Sequence, residues 1–465
     1  MIEGCHRARQ RAPAAHGRGR LPSRLVLGWC IALGCTKSVP DEHVVPLGAP
    51  SSEPSGGVSP GVASPGPSPE GGLGNAAPGA ETAAPNATAG GAAGAGSNTE
   101  APPFTKRGLR LALADCALAS YAEFGDKARV LSQAAEAFAV QPGAAEKAAA
   151  QQAWRDAMAS WQRAEPFRFG PAAGSMEPGG QNLRDEIYAF PLTNYCRVDQ
   201  QLVDRVYAAP EFSSSLSNAR GLGAIEYLLF TSSPGNACSS AININQSGSW
   251  AALTQPDVAQ RRADYAAAAA RDVLGRAEAL LAAWSPGQGD FHAQFTGVAS
   301  TLFSSEQRAF NTVSDALLYV ERELKDWKLG WPLGLVPECV NAPSPCPTEV
   351  ESRYAHVSTD HIRQNLVGFQ RAFAGCAGSG AGLGFDDWLA AVGSTDLSSR
   401  MLSALSESQL AVDNLTLPLE QALQTDPGQV LALHARVKSL TDLLKTEFIT
   451  VLDFELPMGL EGDND

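Results

Sequence analysis

Ser217-Asn218-Ala219-Arg220-Gly221-Leu222-Gly223-Ala224-Ile225-Glu226-Tyr227-Leu228-Leu229-Phe230 holds one carboxylate among small, apolar and aromatic neighbours once Arg220 is passed. Ser217 or Asn218 can cap a helix start. At 100° per residue, Glu226 falls between Leu222 and Leu229 on one side and Gly223 and Phe230 on the other. The acid therefore sits inside an apolar stripe. A helix apolar on most faces is normally buried, and a buried carboxylate must be paired, hydrogen-bonded or protonated. Gly221 and Gly223 each weaken a helix by roughly 1 kcal/mol relative to alanine, which close approach of a backbone or ligand would explain. A structural carboxylate locking two helices together fits the same pattern.

The chain around this helix has 465 residues, not all of which can fold. Residues 1–24 carry six arginines against one glutamate, and the apolar run Leu25–Gly34 follows, ending at Cys35. This describes a secretion signal, too short to span a bilayer. Ala32-Leu33-Gly34-Cys35 resembles a bacterial lipobox with alanine and leucine in the less usual order. Residues 1–35 are thus expected to be a lipoprotein-type signal and Cys35 the lipidation site; soluble secretion is the alternative. The expected address is the cell envelope, outer membrane or periplasm, with a lipid anchor as the only membrane contact. Residues 36–103 are Gly, Pro, Ala and Ser with few large apolar side chains. Such a stretch cannot bury a core and reads as a disordered tether.

Loss of the signal's six arginines and one glutamate takes the formal charge from −14 to −19. So acidic a protein is a poor partner for nucleic acid or anionic lipid. Six cysteines remain beyond Cys35, namely Cys116, Cys196, Cys238, Cys339, Cys346 and Cys376. An even number in an oxidising compartment points to as many as three disulfides. Cys339 with Cys346, across a proline-rich loop, and Cys196 with Cys238, bracketing the Glu226 helix, are the preferred pairs.

Helical periodicity runs through the rest. Residues 105–140 read as a long helix or a helix pair, and 144–164 as a second helix carrying Trp154 and Trp161 on one face. Residues 181–197 look irregular, 198–207 form a short helix, and 257–284 a long alanine-rich one. Ser285-Pro286-Gly287-Gln288-Gly289 is the best internal boundary. Beyond it helices are expected near 294–326, 359–375, 385–391, 394–424 and 427–452. Strand-like alternation is nearly absent, so the fold class is all-α: two helical bundles side by side, residues 104–286 and 290–460.

Catalytic signatures are scarce. The His-Glu-x-x-His string of zinc peptidases does not occur. His356 and His361 lie about 140° apart on a helix, which suits a surface residue and a helix-start residue better than two ligands of one metal. Gly378-Ser379-Gly380-Ala381-Gly382-Leu383-Gly384 follows a helix, whereas phosphate loops and nucleophile elbows follow a strand.

Several stretches in order resemble the imelysin family of bacterial periplasmic proteins. They are Trp154–Pro171 with Trp161, Glu165 and Phe169, then Phe190-Pro191 followed by Cys196-Arg197-Val198-Asp199, and Arg220–Phe230, where the family carries G-x-H-x-x-E. Lys328-Leu329-Gly330-Trp331-Pro332-Leu333-Gly334, Glu351–Ser358, Asn365–Phe369, Gly384–Leu389 and Phe454–Pro457 complete the set. The resemblance implies a two-bundle helical fold with a site between the bundles, a periplasmic or lipoprotein address, and a link to iron acquisition. The family also carries a peptidase label. Here Gly223 takes the histidine position. A His–Glu pair three residues apart could share one metal ion, whereas Glu226 alone cannot. Iron or another metal is thus the only cofactor class in view, and it is not expected on this motif.

The function expected is a non-catalytic binding or accessory component of iron uptake, with envelope iron-uptake proteins as partners. A helical scaffold docking an envelope protein is the alternative, and a peptidase a more distant one. The expected site comprises Gly221, Gly223 and Glu226, with Glu226 paired to Arg184 or Arg163, and Glu351 and Ser358 facing the same cleft from the second half.

Overall fold

Thr105 starts the folded chain: its side chain accepts the Gly108 N–H at 3.0 Å, capping a helix that continues unbroken from Lys106 to Val140 (α1). The computed structural model describes residues 104–457 apart from 298–299, 337–338, 340–344 and 377–381. The signal, Cys35 and the tether expected over 36–103 lie outside the described residues, as does most of the 378–384 glycine run.

After α1 come α2 (Ala144–Ala164), α3 (Leu183–Ile187), α4 (Tyr195–Asp204), α5 (Gly221–Phe230), α6 (Asn243–Gln246), α7 (Gln255–Trp284) and α8 (Phe291–Thr296). The second half holds α9 (Glu306–Leu317), a π-helix (Val320–Gly330), α10 (Trp331–Leu333) and α11 (Ser358–Ala374). It closes with α12 (Phe385–Ala391), α13 (Thr395–Asp413), α14 (Leu419–Thr425), α15 (Pro427–Leu443), a π-turn (Leu444–Phe448) and α16 (Ile449–Leu452). No strand occurs among the described residues. The fold is all-α, as the periodicity predicts.

Two groups of helices lie side by side. In the first, α1 packs on α2 and α7, and α5 rests on α7 and α2. In the second, α13 packs on α15, and α15 on the π-helix, with α11 against both α13 and the π-helix. The groups meet where α2 lies along α11. Gly368 permits that approach, since a Cβ there would fall 2.4 Å from the Arg163 carbonyl oxygen. Each group has its own aromatic core: Phe169, Trp284, Phe291 and Phe295 in the first, Phe310, Phe385, Trp388, Phe448 and Phe454 in the second. Each such buried Phe contributes about 1.5–3 kcal/mol. The described residues belong to one compact unit.

Several expected elements are divided. The helix expected over 294–326 becomes α8, α9 and the π-helix. Between α8 and α9 the Ser300 hydroxyl accepts the Leu302 and Phe303 N–H groups, and Gln294 Oε1 accepts that of Thr301. These side chains offer the backbone an alternative to the helical ladder, and Ser305 then caps α9. Pro418 separates α13 from α14 within the expected 394–424 helix. Residues 181–197 are more ordered than expected, holding α3 and the first turn of α4, whose start Asn194 caps through the Arg197 N–H. The structure pairs Cys196 with Cys238, Cys339 with Cys346, and Cys116 with Cys376.

Candidate functional site

α5 is buried along Gly221–Leu229. Gly221 adopts φ +76°, and a Cβ there would lie 2.6 Å from the Ile187 carbonyl oxygen, so only glycine lets the chain turn into α5 against α3. Arg220, just ahead, anchors the turn through Asp272 at 2.8 Å and through Glu186. A Cβ on Gly223 would fall 2.5 Å from Thr193 Oγ1. Thr193 thus fills the space that a larger side chain at 223 would need.

Glu226, 1 % exposed, reaches across to the second half of the molecule. Its Oε1 accepts the N–H groups of Tyr354 at 3.0 Å and Ala355 at 3.1 Å, and its Oε2 accepts the Ser352 hydroxyl at 3.2 Å. Burial pushes the Glu226 carboxyl up to about 8 against those three hydrogen bonds, which pull it down. The expected pairing with an arginine does not occur. Arg184 donates from Nε to Glu165 at 3.1 Å, and Arg163 binds Glu123 and Gln364. Three donors from the Ser352–Ala355 loop already satisfy Glu226, and both guanidiniums are paired with other carboxylates.

A second buried carboxylate lies beside it. Glu351 Oε1 takes the Tyr188 hydroxyl at 2.7 Å, Gln162 Nε2 at 2.9 Å and Lys328 Nζ at 3.0 Å. Its Oε2 meets His361 Nδ1 at 3.0 Å. The Lys328 ammonium and His361 hold its carboxyl well below the usual carboxylate range, despite burial. Lys328 spends its other two hydrogens on Gln162 Oε1 at 2.6 Å and Asn365 Oδ1 at 2.8 Å. Glu165 continues the network to Arg184, Trp161 and the Tyr319 hydroxyl. Each charge here has an opposite or donor neighbour, the condition for keeping ions in a low-dielectric interior. Ser358 has a supporting place: its Oγ accepts the Ser352 N–H at 3.2 Å and thereby shapes the loop that clasps Glu226.

Glu226, Gly223 and Glu351 line one cavity of about 190 Å³, walled by Tyr188, Tyr195, Trp331 and Arg353. Arg163, Arg184, Gly221 and Ser358 do not line it. Sequence reasoning passed over His361, Lys328 and Tyr188. His361 does start a helix, yet it is 2 % exposed and faces Glu351. The local pattern gives no sign of this, because its partner comes from another element.

Two chemistries can be tested on this geometry. Ser352, His361 and Glu351 sit together, but both the hydroxyl, at 3.4 Å, and the carboxylate converge on the same His361 nitrogen, Nδ1. A serine triad needs the acid on one ring nitrogen and the nucleophile on the other. Ser352 is also fully buried, and its hydroxyl is committed to Glu226. A metal fares no better. Glu226 Oε1 already faces two backbone N–H dipoles, whose positive ends oppose a cation, and no group of three or more His, Cys, Asp or Glu side chains suited to a metal occurs among the described residues.

The sequence profile of the imelysin family matches residues 117–446. The chain belongs to the imelysin family. Iron-regulated protein A of Synechococcus elongatus is 22 % identical over 339 residues, which cover 72 % of this chain and 83 % of the relative. Two solved structures share the imelysin fold. A candidate iron-regulated protein A precursor from Parabacteroides distasonis matches with TM-score 0.57 at 17 % identity, covering 76 % of this chain and 96 % of its own. An imelysin-like protein from Psychrobacter arcticum matches with TM-score 0.56 at 16 % identity, covering 76 % and 98 %. In this imelysin-family chain, Thr193 occupies the volume that a side chain at position 223 would need.

Proposed function

We propose that the protein serves iron uptake at the cell envelope as a non-catalytic binding or accessory component, with the cavity beside Glu226 and Glu351 as its ligand site. The observation that carries this reading is the junction itself. A carboxyl from α5 is clasped by the Ser352–Ala355 loop of the other helix group, and aromatic rings and Arg353 line the opening. Concave sites with a few convergent polar groups between helices are where small ligands bind. Family membership and the name of the Synechococcus relative support the connection to iron. Three disulfides suit an oxidising compartment, and Cys35 is the proposed lipid anchor, with envelope iron-uptake proteins as partners.

Peptide hydrolysis is not part of the proposal, because the Ser352–His361–Glu351 grouping has the wrong connectivity and its hydroxyl is fully buried. Deletion of the gene in its native host should slow growth under iron limitation, and the wild-type gene should restore it. Arg353→Ala, altering the cavity wall from a partly exposed position, should restore it poorly. Unchanged growth and cellular iron in the deletion strain would contradict the reading.

A further inference from the structure

The three disulfides have unlike surroundings. Cys116, Cys339 and Cys346 are buried, so the bridges Cys116–Cys376 and Cys339–Cys346 each keep at least one cysteine inside the protein. Cys196 and Cys238 are both half-buried. Cys196 occupies the second position of α4, behind the Asn194 cap. The positive end of the helix dipole favours a thiolate there. A side-chain relay acts in the same sense. Arg197 Nη1 donates to Gln200 Oε1 at 3.2 Å, and the amide so oriented donates from Nε2 to Cys196 Sγ at 3.3 Å. A sulfur served by both a donor and a helix N-terminus is the better leaving group of its pair, because the more stable thiolate leaves faster.

The bridge is placed so that opening it has a consequence. It spans 42 residues of sequence and encloses α5 with Glu226. Tyr195, next to Cys196, lines the Glu226 cavity and packs its ring against Tyr227 of α5 at 5.2 Å and Tyr354 of the clasping loop at 5.0 Å. Asp199, one turn further along α4, accepts the Tyr227 hydroxyl at 2.8 Å and the Ala237 N–H at 2.7 Å. With the bridge open, the turn at 236–238 keeps that hydrogen bond to α4 and loses its covalent hold on the first turn, where Tyr195 stands.

We propose that Cys196–Cys238 is a redox switch, opened by a dithiol reductant, that loosens the Tyr195 wall of the cavity. A thiolate of the reductant attacks Cys238 Sγ, a mixed disulfide forms, and Cys196 leaves as the thiolate with the electron pair of the broken bond. The reductant's second thiolate attacks its own sulfur in the mixed disulfide and expels the Cys238 thiolate. Two electrons thus pass to the protein, the reductant departs as a disulfide, and its two protons reach Cys196 and Cys238 through solvent. The inference is independent of the iron-uptake reading. Folded protein in graded dithiothreitol, quenched with N-ethylmaleimide and mapped by peptide mass spectrometry, tests it. Cys196 and Cys238 should be labelled together, about tenfold faster than the other four cysteines. Gln200→Met, which removes the donor, should slow that labelling about threefold and leave the other bridges unchanged. Hydrogen–deuterium exchange across residues 195–199 and 236–246 should speed up once the bridge is open, with α1 unaltered, and Cys196→Ser with Cys238→Ser should reproduce this. Earlier or simultaneous reduction of another bridge, an unchanged rate in Gln200→Met, or unchanged exchange at 195–199 in the reduced protein would overturn the proposal.

Discussion

Glu226 shows what a sequence can and cannot say about one residue. Its place inside an apolar stripe announced burial, and burial announced compensation. Which groups compensate was not legible, because the Ser352 hydroxyl and the Tyr354 and Ala355 amides lie more than a hundred residues away. The arginines are set by the same long-range packing: Arg184 and Arg163 answer to Glu165 and Glu123, whose positions only the packed helices define. The compensation leaves a signature in stability. A carboxyl raised to about 8 in the folded state binds its proton more tightly than in the unfolded chain, where 4.5 is usual. Stability therefore falls as pH rises from about 4.5 to 8. Glu226→Gln keeps the shape of the protonated acid and cannot ionise. In urea unfolding it should match wild type near pH 5 and exceed it by a few kcal/mol near pH 8.5. Glu351 has the opposite sign: held low, it adds stability above the ordinary range that is lost only at more acidic pH. A constant difference between variant and wild type across this range would refute the assignment.

Elements follow the sequence pattern where periodicity and caps agree, and depart from it where local side chains compete with the ladder. Thr254 and Asp257 form a reciprocal capping box, and α7 begins within two residues of expectation. The break between α8 and α9 depends on Ser300 and Gln294 bonding to nearby amides, a competition that apolar spacing does not register. The π-helix at Val320–Gly330 was likewise hidden within a helical pattern. Its altered turn carries Glu321, Glu323, Lys325 and Lys328, all buried, and such turns recur at functional sites. At the contact between α2 and α11, Gly368 is the sensitive position. Gly368→Ala must push a methyl into the Arg163 carbonyl, so the variant should lose about 1–3 kcal/mol in chemical denaturation. A loss below a few tenths of a kcal/mol would mean that the helices part without cost.

At the scale of the molecule, the all-α class and the two-group layout follow from periodicity, whereas the covalent tie between the groups does not. Cys116–Cys376 joins α1 to the segment after α11 across 260 residues. Chain-entropy arguments assign a loop of that size about 5 kcal/mol. Replacing both cysteines by serine should lower the melting temperature more than the same change at Cys339 and Cys346, which close a loop only seven residues apart in sequence. The reverse order in differential scanning calorimetry would place the stabilisation elsewhere. Beyond stability, the central claim is that the junction of the groups holds a clasped, proton-bearing carboxyl in place of a metal centre. The difference infrared spectrum of wild type minus Glu226→Gln, followed across pH with and without added iron, tests this most directly. A protonated-carboxyl band at neutral pH that fades near pH 8 and ignores iron is the predicted result; a carboxylate band at all pH values that shifts when iron is added would contradict it.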